Sequence, residues 1–202
     1  MAGFEVITEG SEVEIDESFI GGKARNMHAS RKARMLEGKS GAFGKVGIQG
    51  ILERGGTLRA FVLERPHHRE GLQQRVHDNV ERNTSVFTDE ATHYFGLKGP
   101  FAHEFVNHAE EYVRGNVHTN TLENFWSLLK RGLHGTYVSV EPFHLFRYVD
   151  EEAFRYNTRK PMSDADRFSY LVRKIVGKRL TYAALTGKTE AGPSPDTTEV
   201  PF

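Results

Sequence analysis

Three acidic residues in different local contexts indicate what chemistry this chain could perform. Asp16 lies within a strand-like run over residues 13–20, and Asp89 ends a second such run that starts at Ser85. Glu123 lies near the start of a helix-like segment. Mg²⁺ prefers hard oxygen ligands and takes few of them from protein. Two Mg²⁺ ions roughly 3.5–4 Å apart can hold both the attacking and the leaving oxygen of a phosphodiester. Two strand carboxylates and one helix carboxylate therefore predict a two-metal site for phosphodiester chemistry.

For both strand acids, a neighbouring acid could be the metal ligand instead. Asp16 shares a strand face with Glu14, and Glu17 is a third acid in the same run, so the sequence does not choose among them. The alternative role for Asp16 is that of a polar residue on the solvent-facing side of an edge strand. The alternative role for Asp89 is that of an acid that begins a turn, and Glu90 competes with it. The joint placement of three acids, more than any single one, favours a site.

The helix acid also has two interpretations. The pattern Asn120-x-x-Glu123 fits a capping box, in which the glutamate only binds backbone N–H groups at the helix start. However, Glu123, Ser127 and Lys130 are spaced i, i+4 and i+7, which places them in one polar stripe. In that arrangement Glu123 faces the metals while Lys130, about 10 Å further along the axis, reaches a DNA phosphate. The competing interpretation of Lys130 is an exposed lysine that the helix dipole favours near a C-terminus.

The ten histidines do not predict a metal site. The His67–His68 pair and the His103-x4-His108 pair have no second cluster at ligand spacing, and the chain has no cysteine. Ordinary surface or hydrogen-bonded histidines are the better interpretation. His118 is the exception, because it precedes the helix that carries Glu123, and it is a candidate accessory residue.

The order of predicted elements brings the two strand acids together. A strand is followed by a hairpin of two strands, a helix and a fourth strand, over Glu12–Ile20, Lys45–Leu52, Thr57–Glu64, Arg69–Arg82 and Ser85–Asp89. This order matches a ribonuclease-H-like α/β fold, a mixed five-stranded sheet flanked by helices. In that topology the first and fourth strands are neighbours, so Asp16 and Asp89 should lie side by side.

The second half of the chain is predicted to be mostly helical. Leu122, Phe125, Trp126 and Leu129 form an apolar stripe, so Trp126 is expected in the core rather than as a base-stacking platform. Gly132 is expected to end that helix. A short last strand and further helices are predicted over Glu104–Val106, Thr121–Arg131, Pro142–Asn157, Asp164–Val176 and Lys178–Leu185. Residues 1–185 are thus expected to form one domain, and 186–202 a disordered tail rich in proline, glycine and polar residues.

Charge and composition bound the class of protein. The net charge is zero, but residues 1–20 carry six acids and no Lys or Arg, while residues 22–75 carry twelve Lys and Arg against four acids. Residues 159–179 carry seven Lys and Arg against two acids. This segregation suggests an acidic pocket beside basic surfaces for phosphates, although solvated faces are the ordinary alternative. No signal peptide, membrane-length apolar run or cysteine framework is found, which predicts a cytoplasmic protein that is not held in a membrane.

Several ordered blocks of the chain resemble the catalytic domain of bacterial insertion-sequence transposases of the DDE superfamily. The resemblance runs from about Glu12 to Arg159 and points to the group with an additional lysine after the catalytic glutamate. The blocks are VEIDESFIGGK at 13–23, TDE at 88–90, VNH at 106–108, EYV at 111–113, HTNTLENFWSLLKRG at 118–132, GTY at 135–137 and FRYNxR at 154–159.

The resemblance implies a set of roles. Asp16, Asp89 and Glu123 would be the catalytic ligands of two Mg²⁺ ions, for which Mn²⁺ would substitute. Asn120 is a minor contender for the third ligand, because some relatives use asparagine there. The implied partners are element-end and target DNA, together with further copies of the chain on that DNA. The implied DNA-contacting residues are Lys23, Asn120, Lys130 and Arg131.

One departure from the family leaves the function open. Relatives usually carry an N-terminal zinc-ribbon or helix-turn-helix region that finds the element ends, whereas only Met1–Ser11 precede the first strand here. We therefore expect a catalytic core without its end-binding domain. The first hypothesis is a DNA-cleaving and strand-joining transposase core. The second is a catalytically silent, DNA-binding or regulatory remnant. A ribonuclease H or junction resolvase on the same fold is a weaker third, since fold alone does not decide substrate.

Overall fold

A five-stranded mixed sheet forms the centre of the molecule and confirms the predicted fold class. The computed structural model describes residues 6–8, 10–21, 45–63, 68–89, 92–97, 101–106, 119–137 and 140–186. The spatial order of the strands is β3-β2-β1-β4-β5. Their bounds are β1 Glu12–Ile20, β2 Val46–Glu53, β3 Leu58–Leu63, β4 Ser85–Asp89 and β5 Ala102–Val106.

The strand pairing places the two strand acids at one end of the sheet. β1 pairs antiparallel with β2 and parallel with β4. The parallel ladder between β1 and β4 ends at the pair Ile15–Thr88, one residue before Asp16 and Asp89. β1 is therefore a central strand, which excludes the alternative that Asp16 lies on an edge strand. The predicted neighbour relation of β1 and β4 is confirmed.

Helices cover both faces of this sheet. Short 3₁₀ turns lie at Thr92–Tyr94 and Pro142–His144. The helices are α1 Arg69–Asn79, α2 Asn120–Gly135, α3 Leu145–Thr158, α4 Asp164–Ile175 and α5 Tyr182–Thr186. The core on the α1 side contains Val13, Ile15, Ile51, Leu72, Val76, Val86 and Tyr94. The core on the α2 and α3 side contains Ile48, Leu52, Leu122, Phe125, Trp126, Leu129 and Val149.

Two helices end three or more residues away from their predicted ends. α1 ends at Asn79 rather than Arg82, because Val80 turns to an extended backbone and bridges to Ile7. α2 does not end at Gly132 but continues to Gly135. Leu133 extends its apolar stripe by another turn and is buried, and that burial outweighs the low helix propensity of one glycine.

Two later helices begin after their predicted starts. The segment predicted as one helix from Pro142 opens with a 3₁₀ turn, and α3 begins only at Leu145. The segment predicted from Lys178 is helical only from Tyr182. Gly177 has a φ of 79°, a left-handed conformation that ends α4 and separates it from the next helix.

Some predictions fall on residues outside the described ranges. They concern Lys23, His118 and Glu90. Of the predicted tail only Thr186 is described, and it is the last residue of α5. Within the described ranges, no helix has the length and apolarity needed to cross a membrane.

Candidate active site

Asp16 lies half-buried at the end of the β1–β4 ladder, under α2. Each of its carboxylate oxygens accepts one hydrogen bond. The indole Nε1 of Trp126 donates to Oδ2 at 2.9 Å, and the backbone N–H of Glu17 donates to Oδ1 at 2.8 Å. A carboxylate offers about four lone-pair sites, so these two bonds orient Asp16 and leave capacity on both oxygens.

The pKa of Asp16 depends in part on the charges of the other two predicted acids. The pKa of Asp16 is raised to about 6, chiefly by burial and next by the charge of the Asp89 carboxylate, with a smaller contribution from Glu123. The hydrogen bonds from Trp126 and from the Glu17 backbone lower the pKa in opposition. Like charges in a partly desolvated site repel each other, and a bound cation would relieve that repulsion. Asp16, Asp89 and Glu123 therefore lie within electrostatic reach of one another.

Glu123 lies on an exposed stripe of α2 and does not cap the helix. The residue that precedes the first turn is Thr119, and it makes no side-chain capping bond. The capping box that the sequence also allowed is therefore not formed. Glu123, Ser127 and Lys130 are all exposed, as are Asn120 and Arg131. The polar stripe predicted from their spacing is present.

Glu14 performs the capping role instead. Its Oε2 accepts hydrogen bonds from the backbone N–H groups of Thr121 at 3.0 Å and Leu122 at 3.1 Å. Its Oε1 accepts from Arg54 Nε at 2.9 Å and from the hydroxyl of Thr121. Glu14 is completely buried, and the helix start favours its negative charge. These bonds occupy both oxygens, which distinguishes Glu14 from its strand neighbour Asp16.

Trp126 approaches the sheet closely because Gly50 lies beneath it. Gly50 is the β2 residue paired with Asp16. A Cβ atom added at Gly50 would lie 2.6 Å from Leu122 Cδ2 and 2.9 Å from Trp126 Cζ2. Both distances are shorter than a carbon–carbon contact allows, so only glycine admits α2 at this depth. The glycine thus places the indole N–H within reach of Asp16.

A second polar group lies on the opposite face of β1. The hydroxyl of Tyr94 donates to Glu17 Oε1, and Gln49 Nε2 donates to the Tyr94 hydroxyl at 3.2 Å and to the Leu72 carbonyl at 3.1 Å. The pKa of Glu17 is raised to about 8, first by burial and then by the charges of Asp16 and Asp89. Glu17 lies on the face of β1 opposite α2, although its charge still interacts with those of Asp16 and Asp89.

The donor set suits a hard divalent cation, but it is not closed in this structure. Asp16, Asp89 and Glu123 offer only carboxylate oxygens, which Mg²⁺ prefers. Among the described residues, no three His, Asp or Glu side chains converge into a group that could hold a metal ion. The three acids are near enough to repel one another and yet do not form a finished ligand cage.

The sequence analysis did not assign roles to three residues that shape the acidic site, although each has a recognisable feature in the sequence. Glu14 shares a strand face with Asp16, so the sequence suggested that either could be the metal ligand. In the structure Glu14 caps α2 instead. Trp126 is buried as predicted, but the polar end of its ring was not assigned a partner. Gly50 interrupts the apolar run of β2, and an isolated glycine in a strand often marks a close approach.

A comparison with known protein families identifies the domain. A family model described as an ISXO2-like transposase domain matches residues 8–157, which include all five strands, α2 and nearly all of α3. Neither the curated proteins nor the solved structures yielded a match. The resemblance drawn from the sequence blocks is confirmed, because the match covers well over half of the chain. This chain belongs to the family of ISXO2-like DDE transposase domains.

Proposed function

We propose that this chain is the catalytic core of an insertion-sequence transposase, which cleaves DNA and joins DNA strands with divalent metal ions. The observation that carries the proposal is the electrostatic coupling of Asp16 to Asp89 and Glu123, acids from two strands and one helix. Glu14, on the same strand, is bonded to Arg54 and to the start of α2, which is a structural role. An acid whose pKa is raised by other acids is instead typical of a functional site.

In this proposal Asp16, Asp89 and Glu123 bind the metal ions. Other residues orient these acids or contact the DNA. Two Mg²⁺ ions, when bound, supply Lewis acidity at the attacking and leaving oxygens. Trp126 and the Glu17 backbone orient Asp16. Lys130 and Arg131 lie exposed toward the far end of α2 and position the phosphate backbone without reading sequence. Asn120, at the start of α2, and Lys23 are further proposed DNA contacts.

The proposed reaction follows from the family resemblance and has two steps. Water attacks a phosphodiester at the element end, which breaks the bond to the leaving oxygen and exposes a 3′-hydroxyl. That hydroxyl then attacks a phosphodiester of the target, so that a new P–O bond joins the strands while the bond to the target's own 3′-oxygen breaks and leaves a 3′-hydroxyl on the target. No covalent bond to the protein forms in either step.

A second candidate function is a DNA-binding remnant without turnover. The observation that favours it is the absence, within the described part of the chain, of a closed metal-ligand group. Such a protein would still bind DNA through basic residues, with an affinity that falls steeply as salt is added. Replacement of the acids by amides would leave that binding unchanged.

Cleavage of supercoiled plasmid DNA in Mn²⁺ separates the two candidates. We expect nicking and joining by the wild-type chain and a loss to background in Asp89→Asn and in Glu123→Gln. Matched controls are Asp78→Asn and Glu70→Gln, which make the same chemical change at exposed positions on α1. Circular dichroism confirms folding of each variant. Equal products from all five proteins, or none from any together with salt-dependent binding by all, would contradict the catalytic proposal.

A further inference from the structure

The outer edge of β3 is partly open. β3 is the last strand on one side of the sheet. In an antiparallel ladder, successive residues direct their N–H and C=O groups alternately toward the neighbouring strand and away from it. Leu58 is directed outward, because its N–H donates to Asn157 Oδ1 at 2.8 Å and its carbonyl accepts from Asn157 Nδ2 at 2.9 Å. Ala60 and Val62 are therefore also directed outward, and within the described ranges nothing bonds to these outward groups.

Asn157 shows that this edge accepts an amide. A side-chain amide presents a donor and an acceptor as a peptide group does. Its two bonds to Leu58 have ordinary lengths, so it occupies the place that the backbone of a further strand would take. The edge of β3 is thus closed at Leu58 and open over the next two outward residues.

The helix α3 forms one wall of the open edge. α3 packs along β3, and Asn157, near the end of the helix, bonds to the first residue of the strand, so the two elements run in opposite directions. Asp150 and Asn157 are seven residues apart, which is close to two turns, so they lie on one side of α3. Seven residues of helix and three residues of strand each span about 10 Å. Asp150 therefore lies beside the stretch of β3 that contains Ala60 and Val62.

Two charged side chains on this wall are not neutralised within the described part of the chain. Asp150 is half-buried, and burial alone raises its pKa to about 6, with no hydrogen bond or neighbouring charge contributing. Arg147, one turn earlier, has a buried Nε without an acceptor, and its guanidinium lies 5.2 Å from the ring centre of Phe146. Residues three apart on a helix can form an ion pair, but these two do not. Partly buried polar groups without partners cost free energy and call for an explanation.

We propose that an extended segment of a partner protein adds to β3 as a sixth strand, with a basic and an acidic residue two positions apart that pair with Asp150 and Arg147. Its backbone bonds to the outward groups of Ala60 and Val62. Side chains two apart on a strand are about 6.6 Å from each other, and side chains three apart on a helix about 5–6 Å, so the two spacings match. In strand addition the backbone bonds give affinity and the side chains give specificity.

The charges favour a partner of this chemistry over two alternatives. The same edge of a second copy of the chain would bring only one charged residue, Arg59, which is bonded to Asn79 on the α1 side. That copy would leave Asp150 and Arg147 as they are. Water alone is the ordinary cover of a short edge strand, but it does not account for the two charges on the wall.

Amide hydrogen exchange by NMR on the full chain tests the strand addition, with the blocked heptapeptide TVRVEVT as the probe. In the free chain we expect fast exchange at Ala60 and Val62 and protection at Phe61 and Leu63, whose N–H groups point to β2. Peptide at ten times its dissociation constant should slow exchange at Ala60 and Val62 by about tenfold. The control is the same peptide N-methylated at its arginine and glutamate, which removes the donors that face β3 and should abolish the effect.

Two variants test the residues that hold the peptide. Asp150→Asn removes the charge on the wall and should weaken peptide binding by about fivefold, whereas Asp78→Asn, at an exposed position on α1, should leave binding unchanged. Ala60→Pro removes an outward N–H without removing a bond to β2, and proline is tolerated at such edge positions. It should prevent the peptide from protecting Val62, while unchanged protection of Phe61 and Leu63 verifies that the sheet is intact.

Four results would overturn the proposal. The first is exchange at Ala60 and Val62 that TVRVEVT does not slow, and the second is equal slowing by the N-methylated peptide. The third is peptide binding that Asp150→Asn leaves unchanged. The fourth is protection of Ala60 and Val62 in the free chain that rises with protein concentration, because the edge would then be covered by a second copy. None of these measurements depends on whether the chain cuts DNA.

Discussion

At the scale of single residues, the bond between Trp126 and Asp16 links the core to the acidic site. Trp126 is buried in the apolar core on the α2 side, and its one polar atom donates to Asp16 Oδ2 at 2.9 Å. A partner bonded to a metal ligand orients that ligand and tunes its basicity. One side chain therefore serves both packing and the arrangement of the acids.

Replacement of Trp126 by phenylalanine should weaken divalent metal binding. Trp126→Phe keeps an aromatic ring in the core but removes the N–H that orients Asp16, and loss of such a partner typically costs about 10–100-fold in metal affinity. Titration calorimetry with Mn²⁺ measures the change. Phe125→Leu is the control, because it alters the neighbouring core residue without touching Asp16, and it should leave the affinity for Mn²⁺ unchanged.

Gly50 offers an independent change at the same contact. A methyl group at Gly50 would collide with Leu122 and Trp126, so Gly50→Ala should lower both the stability, by about 1–3 kcal/mol, and the Mn²⁺ affinity. Gly135→Ala should do neither, because a Cβ there meets nothing within 4 Å. Unchanged Mn²⁺ affinity in both Trp126→Phe and Gly50→Ala would show that the indole does not orient Asp16.

Glu17 should make the free protein less stable as the pH rises. Its pKa in the folded chain is about 8, above its ordinary value of 4.5, so between these values the folded state binds more protons than the unfolded state. The contribution of Glu17 to the free energy of unfolding is therefore fully present below about pH 4.5 and is lost as the pH rises to about 8. Glu17→Gln keeps an acceptor for Tyr94 and cannot ionise, so it should be more stable than wild type at pH 8 by about 1 kcal/mol or more.

Urea denaturation in chelator at pH 6, 7 and 8 measures this difference. Asp16, whose pKa is raised only to about 6, contributes mainly below that range, so the decline between pH 6 and 8 belongs to Glu17. Asp78→Asn should follow the wild-type curve, since Asp78 is exposed on α1. Wild-type and Glu17→Gln curves that run parallel across the three pH values would refute this assignment.

At the scale of elements, the sequence alone predicts the sheet correctly but does not identify the residue that caps α2. Alternating and β-branched runs predicted β1 to β4, and their order predicted that β1 and β4 are neighbours. The start of α2 was ambiguous, because Asn120-x-x-Glu123 is a local signature of a cap. The actual cap is Glu14, more than a hundred residues away, and a local pattern cannot reveal so distant a partner.

Glu14 should be among the most important acids for the stability of the fold. Glu14→Ala leaves two N–H groups of α2 without their acceptor and deprives Arg54 of a buried carboxylate, so we expect a loss of about 3 kcal/mol or more. Chemical denaturation at neutral pH measures it. Glu12→Ala removes the second carboxylate that pairs with Arg54, which is more exposed, and should cost less than about 1 kcal/mol. Similar losses in the two variants would contradict the capping role.

At the scale of the whole molecule, the sheet separates two polar groups that share one strand. Asp16 faces α2 and interacts electrostatically with Asp89 and Glu123, whereas Glu17 faces the α1 side with Tyr94 and Gln49. The period of two along β1 predicted that Asp16 and Glu17 point apart. The period alone does not say how deeply each face is covered, and Glu14, on the polar face of β1, is completely buried.

The three acids lie near one another, but their final arrangement is expected to depend on metal. Carboxylates at close range repel one another, and a bound divalent ion would supply the charge that draws them together. The polar stripe of α2 carries Glu123 on an exposed surface, where its side chain is free to adjust. Binding of metal by these three acids is thus the step on which the proposed chemistry rests.

Calorimetric titration of Mn²⁺ into the purified chain tests that step most directly. We expect the wild type to bind Mn²⁺, and Asp89→Asn and Glu123→Gln each to weaken the binding by about tenfold or more. Asp78→Asn and Glu70→Gln should bind as the wild type does. Mn²⁺ binding that is the same in the wild type and in Asp89→Asn and Glu123→Gln would show that these acids do not form the metal site.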